Sequence, residues 1–192
     1  MPNSHFLHKL FPPEIFTEEE LDQILPCFEK VNFKKNDYLQ KAGVVANIYW
    51  IIETGFARAF VLNTDGDDIS THFYKSGDVA IDWSSFFLRA TTKENIQALT
   101  DITCWQLDFN TFQRLFHSIE AFREIGRKRL VESYFELKNQ SISMIADQAK
   151  DRYLKLVNDK PELIQNVSLK QIASYLGITD TSLSRIRKEI SL

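Results

Sequence analysis

Residues 169–188 read LKQIASYLGITDTSLSRIRK, and they decide what the carboxyl-terminal part of the chain builds. A helix-turn-helix makes definite demands on its residues. Its two helices cross closely, so a small residue is needed at the crossing, and Ala173 stands there. Four residues later a tight turn wants positive φ, and Gly177 stands there. Apolar side chains must tie both helices to a third, and Ile172, Leu176, Ile178, Leu183 and Ile186 keep those spacings. Ser168 and Gln171 form a capping-box pair at the first helix, and Thr179 can cap the second. The outer face of the second helix is then polar throughout: Asp180, Thr181, Ser182, Ser184, Arg185 and Lys188. A face of short hydrogen-bonding groups with an arginine fits a major groove. Arg185 is expected to make a bidentate contact to guanine. Lys170, Arg187 and Lys188 are expected to meet phosphates, which positions without specifying. The helix start at Thr179 offers free N–H groups to phosphate, whereas Asp180 repels it and acts as a specificity filter.

Upstream, residues 146–192 read as one small helical unit with helices over Asp147–Asn158, Ser168–Gly177 and Thr179–Ile190, broken at Lys160-Pro161. This unit carries eight Lys/Arg against six Asp/Glu, while the chain as a whole has a net charge of −3. A basic tail on an acidic body points to a polyanion as partner of the tail. The sequence ends at Leu192, which leaves no space for a β-hairpin wing after the second helix; only a strand around Ile164–Val167 is left for that part.

From Phe109 to about Ile145 there is no proline and one glycine, Gly126, so a single helix of more than 30 residues is expected, longer than a small domain needs. Leu130, Tyr134, Leu137, Ser141 and Met144 follow a 4-3-4-3 spacing that suits a two-helix seam. One helix-turn-helix grips DNA weakly. A symmetric pair sets two recognition helices about 34 Å apart, one turn of the duplex. The long helix is therefore expected to be a dimer arm.

Between Val31 and Asp108 short β-rich runs alternate with turn residues. The runs are Val31–Phe33, Tyr38–Gln40, Ile48–Ile52, Phe56–Leu62, Ile69–Tyr74, Ile96–Leu99 and Thr103–Leu107. Regular short strands with such punctuation predict a sandwich or barrel, and Asp65-Gly66 marks a hairpin. Residues 5–30 predict short helices, one opened by the capping box Thr17-Glu18-Glu19-Glu20 and stopped by Pro26.

Composition bounds the rest. A chain of 192 residues with 44 % hydrophobic residues can bury a core. No run approaches the ~20 apolar residues of a membrane span, and MPNSHFLHKL carries no signal pattern; a cytoplasmic protein without membrane contact is expected. Cys27 and Cys104 stand far apart without a CxxC. That excludes a four-thiolate metal site and a disulfide framework and leaves two buried spare thiols as the expectation. His5, His8, His72 and His117 are scattered, so neither a haem ligand pair nor the clustered metal ligands of a cupin-type enzyme can be assembled. With no phosphate-binding loop, nucleophile elbow or HExxH, an enzyme is not expected.

The spacings Gly43-x5-Tyr49-x-Ile51-x3-Gly55-x2-Arg58 and Gly77-Asp78-x3-Asp82, with residues 169–188, resemble the Crp/Fnr family of bacterial transcription regulators along almost the whole chain. The resemblance implies an α+β fold. Residues 1–145 form a cyclic-nucleotide-binding-like β jelly-roll barrel with the long dimer helix at about 109–145, and residues 146–192 form a helix-turn-helix domain lacking a C-terminal wing. It implies duplex DNA, a second copy of the chain, RNA polymerase and a small-molecule effector as partners. Nucleotide-binding members hold the cyclic phosphate and ribose with a Gly-Glu-Leu segment and an Arg-Ser pair. Here Ile81-Asp82-Trp83 and Thr92-Lys93 fall at those places, and Ser133, Leu137 and Lys138 fall where the base is met. Asp82 can accept a ribose hydroxyl bond. Ile81 removes the glycine that lets backbone N–H groups approach phosphate, and Thr92 replaces the guanidinium that grips it, with Lys93 a partial substitute. That loss costs a few kcal/mol, on the order of two decades of affinity. Tight cyclic-AMP binding is therefore not expected, and no cofactor is assigned. The other reading of the same barrel, a nucleotide-responsive module working through protein–protein contacts, has no need of the 169–188 pattern.

Overall fold

The structure is a computed structural model that describes residues 5–190; residues 1–4 and 191–192, on which the expectation about a C-terminal wing falls, lie outside them. The chain opens with α1 (His5–Leu10) and α2 (Glu18–Ile24). Thr17 and Glu20 close the expected box: the Thr17 hydroxyl accepts from the Glu20 N–H at 3.2 Å and the Glu20 carboxylate accepts from the Thr17 N–H at 2.9 Å. Pro26 converts the chain to a 3₁₀ turn, Leu25–Cys27.

Eight strands follow: β1 (Glu29–Phe33), β2 (Tyr38–Gln40), β3 (Ile48–Thr54), β4 (Ala57–Leu62), β5 (Asp68–Tyr74), β6 (Val79–Ala80), β7 (Asn95–Ala98) and β8 (Ile102–Asp108). They form two antiparallel four-stranded sheets, ordered β1-β8-β3-β6 and β2-β7-β4-β5. The unbroken apolar run at Ile48–Ile52 is explained by burial on both faces of the first sheet. Trp50 and Ile52, with Cys104 and Ile102, point into the space between the sheets. Tyr49 and Ile51, with Trp105 and Leu107, point the other way onto the N-terminal helices and Phe112, Leu115 and Phe122. The expected hairpin joins β4 to β5. Gly66 takes φ +85° there, and the Asn63 side-chain oxygen accepts the N–H groups of Asp65 and Asp67 at 2.9 and 2.8 Å. Between β6 and β7 lies α3 (Trp83–Leu88). Both β6 and α3 are additions to the sequence reading, for a two-residue strand and a helix of under two turns carry no period to read.

The expected single helix over Phe109–Ile145 is two: α4 (Phe109–Ser118) and α5 (Glu120–Ala146), broken at an extended Ile119 with φ −118° and ψ 112°. Ile119 is itself buried, and the break turns Leu115 and Phe122 onto the same core. A β-branched side chain tolerates this extended geometry well. Four helices follow: α6 (Ala149–Asp159), α7 (Pro161–Asn166), α8 (Leu169–Tyr175) and α9 (Asp180–Ile190). The strand expected around Ile164–Val167 is corrected. Pro161 opens a helix instead of only breaking one, residues 164–166 continue it, and Val167 alone is extended.

The last four helices are not detached from the sandwich. β5 is an edge strand, and α8 lies along it. The Ser70 N–H donates to the Ser174 hydroxyl at 3.1 Å, the two hydroxyls are 3.2 Å apart, and the Phe73 and Tyr175 rings are 5.0 Å centre to centre. Phe73 and Leu99 thus join one apolar cluster with Tyr153, Leu156, Leu163 and Leu183. The two thiols differ: Cys104 is buried as expected, whereas Cys27 is partly exposed beside the Arg114 guanidinium, 3.3 Å away.

Candidate functional site

The α8–α9 pair is built as its residues require. Ser168 and Gln171 cap α8 reciprocally, at 3.3 and 3.2 Å. Ile172, Ala173 and Leu183 are fully buried against the side chains of α6 and α7. Gly177 takes φ +66°, and the Ile178 N–H reaches back to the Ala173 carbonyl at 3.0 Å while the Gly177 N–H reaches that of Ser174 at 3.1 Å. These two bonds satisfy the last carbonyls of α8. Thr179 caps α9 by accepting the Ser182 N–H at 3.2 Å, and its hydroxyl lies 3.0 Å from that of Ser182. Thr179 and the half-buried Ser182 are thereby engaged with each other. Asp180, Thr181, Ser184, Arg185 and Lys188 share the exposed face of α9, at the i, i+4 spacings that line up on one side. Among the described residues Arg185 and Lys188 make no ion pair within 4 Å, so their charges are free for a partner. Lys170 on α8 and Arg187 are exposed, and Lys170 lies near enough to Asp68 on β5 for its charge to be felt there.

A cleft of about 400 Å³ lies between β5, the β5–β6 turn, the start of α3 and the middle of α5. Of the residues expected to hold a nucleotide, Ile81, Asp82, Trp83, Ser133 and Leu137 line it, while Thr92, Lys93 and Lys138 do not. Both oxygens of Asp82 are already engaged inside the fold. One oxygen caps α3 by accepting the Ser84 and Ser85 N–H groups at 3.0 and 3.1 Å, and the other accepts the hydroxyl of buried Thr92 at 2.6 Å. Thr92 is a strut inside the fold. Arg89, the nearest guanidinium in sequence, turns away to the Ala46 carbonyl and stacks on Phe109 with 3.9 Å to the ring centre.

The cleft wall also holds groups that sequence spacing does not bring together. Asp78, Glu94, Glu132 and Glu136 join Asp82, against the guanidinium of Arg129, which is bonded to the Tyr49 hydroxyl at 3.1 Å. Burial raises the carboxyls of Asp78 and Glu94 above the ordinary carboxylate range, although the Thr71 hydroxyl donates to Glu94 at 2.8 Å. A phosphate entering here meets like charge in a poorly screened setting. The motif Gly77-Asp78-x3-Asp82 marks two of these acids; Glu94, just ahead of β7, and Glu132 and Glu136 on α5 are brought to them only by the fold.

The outer part of α5 carries unburied apolar side chains. Leu130, Tyr134 and Leu137 of the expected seam are 40 %, 58 % and 63 % exposed, and Val131, Phe135, Ile142 and Ile145 widen the same face. Met144, also 40 % exposed, stands close to the α8–α9 turn as well. Its methyl group packs on the turn at Gly177, where an added Cβ would come within 2.5 Å of it.

Comparison with known proteins fits this arrangement. Residues 30–118 match the cyclic nucleotide-binding domain family. No curated relative matches the sequence. Solved structures do match in fold. A regulator assigned to the Crp/Fnr family from Eubacterium rectale aligns at 12 % identity over 95 % of this chain and 88 % of its own, with a TM-score of 0.74. CooA of Carboxydothermus hydrogenoformans aligns at 17 % identity over 91 % and 83 %, with a TM-score of 0.69. The c-di-GMP responsive global regulator CLP of Xanthomonas campestris aligns at 13 % identity over 90 % and 91 %, with a TM-score of 0.68. Residues 30–118 are thus similar to the cyclic nucleotide-binding domain family, and the jelly-roll sandwich, long helix and terminal helix pair in that order give this chain the overall fold of those solved structures.

Proposed function

We propose that the chain is a DNA-binding transcription regulator that works as a symmetric pair. The observation that carries this reading is the exposed polar face of α9. Asp180, Thr181, Ser184, Arg185 and Lys188 stand outward, while Leu183 is buried beneath them. The same geometry leaves α9 uncovered even though α8 is docked on β5. Arg185 would read guanine, with Lys170, Arg187 and Lys188 at the phosphates. Thr179 and Ser182, being tied to each other, serve to fix the start of α9. The apolar face of α5 from Leu130 to Ile145 supports pairing with a second copy, since an isolated monomer seldom leaves so many large apolar side chains in water. Residues 1–145 would sense and residues 146–192 would bind DNA, hinged at the extended Asp147 and Gln148. The carboxylate-lined cleft and the engaged Asp82 support an effector other than a cyclic phosphate. No helix among the described residues is long and apolar enough to cross a membrane.

The test is site selection from random duplexes, followed by anisotropy titration and sedimentation. A dimer with a pseudo-palindromic site is expected, its affinity falling steeply with salt. Arg185→Ala should cost about 1–3 kcal/mol and relax preference at one base position per half-site. A monomer indifferent to duplexes at low salt would remove the reading. Nanomolar cyclic-AMP binding by calorimetry would remove the account of the cleft.

A further inference from the structure

Beyond the shared wall of His72 and Glu136 lies a second cavity, of about 230 Å³, where β5, the outer half of α5, α6 and α8 meet. Its apolar surface comes from Met144, Leu156 and Leu176. Besides the amides of Asn139 and Gln140 on α5, two aromatic polar groups of its wall are left over. The half-buried His72 imidazole contacts the Tyr74 ring at 4.6 Å between centres, and the half-buried Tyr175 ring contacts Phe73 at 5.0 Å. Neither the imidazole nitrogens nor the Tyr175 hydroxyl has a hydrogen-bond partner among the described residues. Both groups face the cavity without a protein partner, so a molecule held there can bond to them. Burial lowers the imidazole pKa to about 4, with the Lys160 charge adding to the effect, and raises the Tyr175 hydroxyl. Near neutral pH both are uncharged, offering N–H and O–H donors with matching lone pairs.

Glu136 and Asp159 of the wall stand against Lys155 and Lys160, and Arg152, the third cation, has its donors turned to the carbonyls of Leu176 at 2.9 Å and Asp147 at 2.6 Å. The volume is below that of sites for drug-sized ligands. We propose that this joint cavity binds a small uncharged molecule of one or two fused rings, its flat body on Leu156 and Leu176 and its hydrogen-bonding group between His72 and Tyr175. Because the wall belongs to β5, α5, α6 and α8 together, an occupant fastens the α8–α9 pair to the sandwich. The site lies away from the DNA-facing side of α9 and shares only His72 and Glu136 with the barrel cleft, so it stands or falls independently of DNA binding.

Calorimetry on the full chain with indole and phenol, and with benzoate and benzylamine as charged counterparts, tests this. Saturable one-to-one binding of a neutral ring is expected. Tyr175→Phe removes only an unbonded hydroxyl and His72→Phe replaces an unbonded imidazole by an apolar ring, so both variants should stay folded with melting temperatures near that of the parent, yet each should bind indole about tenfold more weakly. Absence of saturable neutral binding up to the solubility limit, unchanged affinity in both variants, or preference for a charged probe would overturn the proposal.

Discussion

Replacing Arg58 by methionine tests how the edge of the second sheet is held. Its guanidinium is 4 % exposed in a side chain on β4 and makes a bidentate pair with Asp68 on β5, at 2.9 and 2.8 Å, with Asp68 34 % exposed. Weaker bonds reach the Ser70 hydroxyl at 3.3 Å and Gln97 at 3.4 Å, and the guanidinium stacks over Phe60 at 4.2 Å. Removing one partner of a fully buried pair costs ~3–5 kcal/mol. Asp68 reaches solvent over a third of its surface and is re-solvated when Arg58 goes, so the loss is discounted to about 2 kcal/mol at pH 7. Arg58 holds the Asp68 carboxyl below its ordinary value of 3.8, so the folded state binds that proton less readily than the unfolded chain does. The pair's electrostatic contribution is therefore present above the unfolded value and lost as pH falls through the lowered folded one. Urea denaturation of parent and variant at pH 7 and again near pH 3 reads the difference. It should shrink from about 2 to about 1 kcal/mol, the remainder being lost stacking and neutral hydrogen bonds. A gap that stays constant or widens toward acid would refute this account of the pair.

Gly177→Ala puts a side chain at φ +66° and its Cβ 2.5 Å from the Met144 Cε. Strain in the left-handed region should destabilise by about 1–2 kcal/mol in chemical denaturation, and part of that should return in a Met144→Ala background, where the contact is gone. Equal losses in both backgrounds would show that the contact contributes nothing. Alkylation by iodoacetamide at neutral pH should modify partly exposed Cys27 and spare Cys104, whose burial pushes its thiol up to about 12, until denaturant is added. Mass spectrometry of the digest reads this directly, and equal labelling of the two in the folded protein would contradict the packing between the sheets.

What the sequence disclosed was what neighbours along the chain determine. The turn at Gly177, both capping boxes and the runs that become seven of the eight strands depend on residues a few positions apart. The break at Ile119 was hidden because nothing local forbids helix there; the core beneath it does. Met144 keeps the seam spacing with Leu130 and Leu137, but spacing gives a face and not what covers it, and the end of α5 comes to lie against the α8–α9 turn. The cleft was only half legible. Asp82 stands within the Gly77-Asp78-x3-Asp82 spacing, yet its engagement with Thr92 and the gathering of Glu94, Glu132 and Glu136 depend on strands and a helix far apart in the chain. The docking of α8 joins Ser70 to Ser174 across 104 positions, a distance no periodicity spans.

That docking bears on how the protein can be divided. An open strand margin is a template for joining another chain, and Ser174 closes it by taking the Ser70 N–H. A polypeptide trimmed to end ahead of Leu169 would bare that margin together with the Phe73 ring, and such a fragment would self-associate strand to strand. Anyone isolating the sandwich for study would do well to carry a charged or proline substitution near Ser70 in place of the lost helix.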